Sequence, residues 1–93
     1  MTTNEFEAAV LADGYSPVLY IERPIGYSLG EHQHSFDACA LITAGEITLV
    51  VDGVGCTYAE GEIFRLPAAT VHLESAGPAG VAYLSARREF SAT

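Results

Sequence analysis

From Pro17 onward the chain alternates short apolar runs with turn residues, a pattern typical of β-strands. The runs are four to six residues long and rich in β-branched and aromatic side chains. Seven strands are predicted, over residues 18–22, 38–43, 47–51, 55–58, 63–66, 71–74 and 81–86. So many short strands predict an all-β domain, either a sandwich or a barrel.

Turn residues separate these runs. Asp52-Gly53 is a strong signal for a two-residue hairpin, because both residue types accept the positive φ of a type I′ turn. The other predicted breaks are Ala44-Gly45, Glu60-Gly61, Pro67-Ala68 and Gly77-Pro78.

The first residues differ from the rest of the chain and predict one helix, over residues 4–13. Asn4 is its candidate N-cap, Glu7 follows three residues later, and Gly14 is placed to end it. We expect its apolar stripe to cover the barrel or to form a dimer contact rather than a functional site. The stripe consists of Phe6, Val10 and Leu11.

The length of the chain predicts one domain. With 93 residues and 9.8 kDa, it has a small core, so a metal or a second copy would add useful stability. We divide it into a helical extension, residues 1–15, and a β-barrel domain, residues 16–93. Neither a membrane span nor a secretory leader is indicated, and we expect a soluble, cytoplasmic protein.

The charge and the cysteines narrow the possible partners. Twelve acidic residues against four arginines and no lysine give a net charge of −8. Nucleic acid is not an expected partner, because phosphate binding draws on clustered basic side chains. Cys39 and Cys56 can form one bridge at most, and without an export signal we expect reduced, buried thiols.

The candidate chemistry lies in the three histidines, His32, His34 and His72, which fall in two short segments. The first segment reads Gly26-x5-His32-x-His34-x3-Ala38-x6-Gly45, and the second reads Gly61-x5-Pro67-x-Ala69-x2-His72. Both resemble the signature motifs of the cupin superfamily. The resemblance implies a double-stranded β-helix (jelly-roll) barrel, in which two histidines and a glutamate from the first motif and a histidine from the second bind one divalent metal.

The chain departs from the family pattern at three positions. Ala38 stands where the family has its glutamate ligand, which leaves a three-histidine set. Ala69 replaces a turn glycine, so we expect a differently built turn or mild strain. Ala76 stands where the family often has asparagine.

Residue parity tests the substitutes for the missing glutamate. Residues two apart on a strand face the same side, so His32 and His34 can converge on one ion, with His72 completing the set from another strand. An unbulged strand from His34 turns Ala38 inward and Asp37 and Cys39 outward. A bulge would reverse this, so Asp37 stays open as an alternative ligand, and Cys39 less so. Zinc, iron, nickel and copper all accept imidazole ligands.

Three functions remain open for such a barrel. The first is a metal-dependent enzyme, a dioxygenase, isomerase or hydrolase, acting on a small oxygen-bearing molecule beside Ala38. The second is a non-catalytic module that binds a small ligand, and the third is an assembly module with a vestigial metal site. A homodimer is expected in each case. The hydroxyls of four tyrosines could reach a barrel pocket, but packing roles are favoured for Tyr20, Tyr27, Tyr58 and Tyr83. Arg65 and Glu62 are interpreted as structural residues.

Overall fold

The computed structural model describes residues 1–89, so the last four residues of the predicted barrel domain lie outside the described part. One helix and six strands form in this part of the chain. They are α1 (Thr3–Ala12), β1 (Leu19–Arg23), β2 (Ser28–His32), β3 (Phe36–Val51), β4 (Val54–Ala59), β5 (Ile63–Leu66) and β6 (His72–Glu89). The all-β prediction with a single N-terminal helix is confirmed.

The N-cap of helix α1 lies two residues earlier than predicted. Thr2, not Asn4, is the N-cap: its hydroxyl accepts from the Glu5 N–H, and the Glu5 carboxylate accepts from the Thr2 N–H. The correct signal was therefore Thr2 followed by Glu5. Phe6 and Val10 are buried against the barrel as predicted, whereas Leu11 is exposed.

Two long strands replace four of the predicted short ones. Strand β3 runs through Ala44-Gly45 and β6 runs through Gly77-Pro78, so these predicted breaks are wrong. Both strands continue through these residues without a break. The β3–β6 register shifts on both sides of Gly45, and the residues between Ala76 and Val81 have no partner in β3, which is why a proline is tolerated there.

Strand β2 was missed by the sequence pattern. Its sequence contains a single large apolar residue, Leu29, and most of its side chains are exposed. It forms through backbone pairing with β6, in which Ser28 lies opposite Ser75 and His32 opposite His72. Pairing of this kind leaves little trace in the hydrophobic pattern.

The two long strands run through both halves of a barrel. Residues 36–45 of β3 pair with residues 81–89 of β6, and β5 and β1 flank this pair. Residues 47–50 pair with residues 73–76, flanked by β4 and β2. The predicted Asp52-Gly53 turn joins β3 to β4, with φ of 52° and 77° at its two residues.

The described residues form two hydrophobic cores, and β3 contributes side chains to both. One set packs inside the barrel and consists of Ala40, Ile42, Ile47, Leu49, Phe64, Leu66, Val81 and Tyr83. The other packs beneath α1 and consists of Phe6, Val10, Tyr15, Cys39, Leu41 and Ala86. Residue parity along β3 therefore decides whether a side chain reaches the interior of the barrel or the helix.

The two cysteines are not joined by a disulfide, in line with the prediction. Cys39 is buried, but Cys56 is exposed on β4, which corrects the expectation that both thiols are buried. Within residues 1–89, no helix is long and apolar enough to cross a membrane.

Candidate metal centre

The barrel brings the three predicted histidines together at one end of β2 and β6. His32 ends β2 and lies opposite His72, the first residue of β6. His34 follows two residues later, beyond the strand, so it reaches the cluster from a connecting segment rather than from the strand itself. One nitrogen from each ring lies within 4.8 Å of the other two.

Backbone carbonyls orient two of the imidazoles. The Nδ1 atom of His32 lies 2.7 Å from the Gly30 carbonyl oxygen, and Nδ1 of His72 lies 2.8 Å from that of Thr70. Because a carbonyl only accepts, each Nδ1 carries the proton and donates it. In the neutral imidazole, Nε2 then presents a lone pair, and both Nε2 atoms are buried without a hydrogen-bond partner. Lone pairs of this kind are suited to a metal ion.

Burial keeps the third imidazole neutral. It lowers the pKa of His34, and the neighbouring His32 and His72 lower this pKa further. The ring of His34 stacks on that of Phe36 at 4.8 Å between centroids. A neutral imidazole is the form that binds a metal.

Glu74 also reaches the cluster, and the sequence analysis did not identify it. Its Oε1 lies 3.2 Å from Nε2 of His32 and 3.5 Å from Nε2 of His72. The Tyr27 hydroxyl donates to the other oxygen, Oε2, at 2.9 Å. Burial, followed by the Glu74 hydrogen bond and charge, raises the pKa of Tyr27 to about 12, so this hydroxyl remains a donor at neutral pH. The available signal was parity, since Glu74 is two residues from His72 on β6.

Neither alternative ligand lies in the cluster. The Asp37 carboxylate accepts from the Ala68 N–H at 2.8 Å and from two Arg88 nitrogens at 3.0 and 3.2 Å. These hydrogen bonds, the one from Ala68 first, lower the pKa of Asp37. Cys39 lies in the core beneath the helix, where burial raises the pKa of its thiol. Ala38 lines the cavity beside the histidines, as parity predicted.

The turn before His72 joins the two histidine segments. Ala69 has a φ of 65°, a left-handed conformation that costs a residue with a Cβ some strain, as expected from its replacement of glycine. Its N–H donates to the His34 carbonyl at 2.8 Å. The Thr70 N–H donates to the Pro67 carbonyl at 3.2 Å and closes the turn. The backbone positions of His34 and His72 are thus coupled.

The histidines open onto a cavity of about 150 Å³. Ile21, Phe64 and Leu66 form part of an apolar wall, while Arg23 and Arg87 bring positive charge to the same cavity. A larger cavity of about 610 Å³ lies beside Tyr20, Pro24 and Ala79, and its lining contains none of the three histidines. We therefore place the candidate chemistry in the smaller cavity, where the polar groups converge.

The residues interpreted as structural divide into two groups. Arg65 is exposed on β5, and Glu62 accepts from the Ala59 N–H at 2.8 Å in the turn before that strand. Both fit the predicted structural roles. Tyr27 and Tyr83, by contrast, line the histidine cavity. Tyr83 also belongs to the inner core, so its packing role is retained.

Comparison with protein families identifies the class of this barrel. Residues 19–83, most of the chain, match the Cupin domain family. The chain therefore belongs to the cupin family, as the two histidine segments indicated. No curated protein sequence matches it.

Solved structures agree with this fold. A conserved protein of unknown function from Streptococcus pyogenes has a TM-score of 0.71 and 22% identity, with 82% of this chain and 66% of that one covered. A predicted oxalate decarboxylase from Thermotoga maritima has a TM-score of 0.69 and 17% identity, with 88% of this chain and 73% of that one covered. A cupin protein from Bacteroides fragilis has a TM-score of 0.67 and 18% identity, with 82% of this chain and 67% of that one covered. This chain spans just under two thirds of the streptococcal protein. Likeness at these identities shows the fold alone.

Proposed function

We propose that this cupin binds one divalent transition metal through His32, His34 and His72 and that a small oxygen-bearing molecule binds or reacts beside it. The observation that carries the proposal is the pair of buried Nε2 lone pairs of His32 and His72, which have no hydrogen-bond partner. A buried acceptor without a partner costs about 1–3 kcal/mol, which a bound cation would offset. Zinc, iron, nickel and copper are the candidate ions.

The residues around the cluster divide the remaining tasks. A bound metal would supply Lewis acidity, polarising an oxygen of the bound molecule. The Gly30 and Thr70 carbonyls hold two imidazoles in the tautomer that exposes Nε2. The apolar wall excludes water on one side, and this strengthens electrostatic interactions in the cavity.

The cavity favours a small anion as the ligand. Its volume of about 150 Å³ lies below the roughly 300–1,000 Å³ of pockets that take drug-sized ligands, which favours a small molecule. Arg23 and Arg87 line this cavity in a chain that has only four arginines. Guanidinium groups pair well with carboxylates, so a small carboxylate is the favoured class. The predicted oxalate decarboxylase of the same fold carries the name of such a substrate.

The alternative is a module that binds a ligand without transforming it, and Ala38 is the observation that favours it. A cupin that lacks the usual first-motif carboxylate has lost one element of the family's metal site. An enzyme would convert small carboxylates in a metal-dependent manner, whereas a binding module would retain them unchanged. Mass spectrometry of a carboxylate mixture incubated with the metal-loaded protein separates the two outcomes.

The metal site itself is tested by elemental mass spectrometry on protein purified without chelator. We expect near-stoichiometric metal in the wild type and background metal in the triple variant His32→Ala, His34→Ala, His72→Ala. Gln33→Ala is a matched control, because Gln33 lies between two of the histidines and is exposed. Equal metal content in the wild type and the triple variant, also after reconstitution with each ion, would contradict the proposal.

A further inference from the structure

We propose that Glu74 supplies the carboxylate ligand that the first segment lacks, so that its Oε1 binds the same ion as the three histidines. This inference rests on the proposed function. It moves the acidic ligand from position 38 on β3 to a position two residues beyond His72 on β6. The chain would then keep a set of three imidazoles and one carboxylate without the glutamate of the family pattern.

Glu74 Oε1 faces the Nε2 atoms of His32 and His72. In the neutral imidazole, a proton held at Nδ1 by a backbone carbonyl makes Nε2 of His32 and of His72 an acceptor, and an ionised carboxylate oxygen also only accepts. Glu74 Oε1 nevertheless lies 3.2 and 3.5 Å from these nitrogens. A cation among these three atoms would attract all of them.

The distances from Glu74 Oε1 to the two nitrogens also fit a shared metal ion. Two ligands that each lie about 2.1 Å from one ion are about 3.0 Å apart at an octahedral angle and about 3.4 Å apart at a tetrahedral angle. The separations between Oε1 and the two nitrogens fall in or next to this range. The side chain thus needs little movement to share an ion with the imidazoles of His32 and His72.

The orientation of the Glu74 carboxylate also supports this ligand role. Tyr27 donates to Oε2 and leaves Oε1 directed at the histidines. The Glu74 side chain is only 12% exposed, so its charge has lost most of its hydration. Within residues 1–89, no arginine forms an ion pair with Glu74, and its Oε1 faces the imidazoles of His32 and His72. A cation bound at Oε1 would offset the cost of burying this carboxylate.

The consequence concerns the charge of the site. Three neutral histidines would leave a divalent ion with its full charge, as the sequence alone suggested. With Glu74 bound, the metal and its protein ligands carry a net charge of about +1, which makes a bound water less acidic than in an all-histidine site. An incoming small anion would then depend more on Arg23 and Arg87 for its attraction.

The test is metal titration of the full chain after chelator treatment, with Zn²⁺ affinity from competition with a chromophoric chelator. Co²⁺ in the same site reports its ligands through visible absorption. The variants are Glu74→Gln, His34→Ala and Tyr27→Phe, with Glu31→Gln as the matched control. Glu31 is exposed next to His32, so its substitution changes the net charge equally without touching the cluster.

We expect Glu74→Gln to weaken Zn²⁺ binding at least about 10-fold and to change the Co²⁺ spectrum, while Glu31→Gln matches the wild type. Tyr27→Phe removes only the hydroxyl that orients Oε2 and should weaken Zn²⁺ binding by up to about 10-fold. If circular dichroism shows that Glu74→Gln does not fold, the Tyr27→Phe variant still tests the proposal.

Three results would overturn one of the two proposals. Wild-type affinity and spectrum in Glu74→Gln, together with loss of binding in His34→Ala, would remove Glu74 as a ligand and leave the histidine site standing. Weaker binding with an unchanged Co²⁺ spectrum would also remove it, because Glu74 would then act through its charge alone. Equal binding by the wild type and His34→Ala would contradict the histidine site itself.

Discussion

Asp37 lies in the first histidine segment and Glu74 lies two residues beyond the second, and the two carboxylates do different things. Asp37, in the first segment, faces outward and holds the Ala68 N–H and the Arg88 side chain. Glu74, beyond the second, faces inward toward His32 and His72. The difference arises from strand parity, since Asp37 lies between the cavity-lining Phe36 and Ala38 on β3, whereas Glu74 is two residues from His72 on β6. Proximity in sequence to a histidine does not make an acid a ligand.

Moving the carboxylate between the segments should give the largest effect. The double variant Ala38→Glu, Glu74→Gln places a glutamate where the family has one, in the wall of the same cavity. We expect it to recover most of the Zn²⁺ affinity lost in Glu74→Gln, a gain of about 10-fold. Isothermal titration of both variants measures this. If the double variant bound Zn²⁺ as weakly as Glu74→Gln, position 38 could not deliver a ligand.

Asp37→Asn should separate stability from metal binding. The pKa of Asp37 is lower in the folded chain than the ordinary value of 3.8, so between these two values the unfolded chain binds more protons. Its contribution to stability is therefore present above pH 3.8 and is lost as the pH falls toward the folded pKa. The carboxylate is partly exposed, and solvent screening keeps the effect modest.

Urea denaturation from pH 7 to pH 2.5 checks this prediction. The wild type should be the more stable protein at neutral pH, and the difference from Asp37→Asn should shrink in acid. Metal stoichiometry at pH 7 should be the same in both proteins. A variant with normal stability and reduced metal content would instead assign Asp37 to the metal site.

The smallest predicted effect lies in the turn that links the segments. Ala69→Gly should stabilise the protein by about 0.5 to 1 kcal/mol, because relief of the left-handed conformation outweighs the added freedom of glycine in the unfolded chain. Thermal unfolding of the metal-free protein measures the change. A loss of stability would mean that the Ala69 methyl makes packing contacts worth more than the strain.

The sequence predicted the parts of the molecule that depend on local chemistry. The Asp52-Gly53 hairpin, the all-β class and the three clustered histidines follow from residue type and spacing. Strand β2 and the continuity of β3 and β6 depend on pairing between distant segments, and that information is not local. The carbonyl partners of His32 and His72 belong to the backbone, so residue identity does not predict them.

Glu74 was missed for a different reason. The parity rule that disfavoured Asp37 was applied to the first segment, where the family places its acid, and the same rule counted from His72 indicates Glu74. Tyr27 was assigned to packing because tyrosine is common in strands. Its hydroxyl becomes informative only when the fold places it 2.9 Å from a buried carboxylate.

The pairing of His32 with His72 also has a kinetic meaning. These residues are far apart in the chain, and contacts of that kind form slowly because a long loop must close first. The metal pocket is therefore expected to be completed late in folding, when β2 docks on β6. An ion that binds only the finished pocket would slow unfolding and leave the refolding rate nearly unchanged.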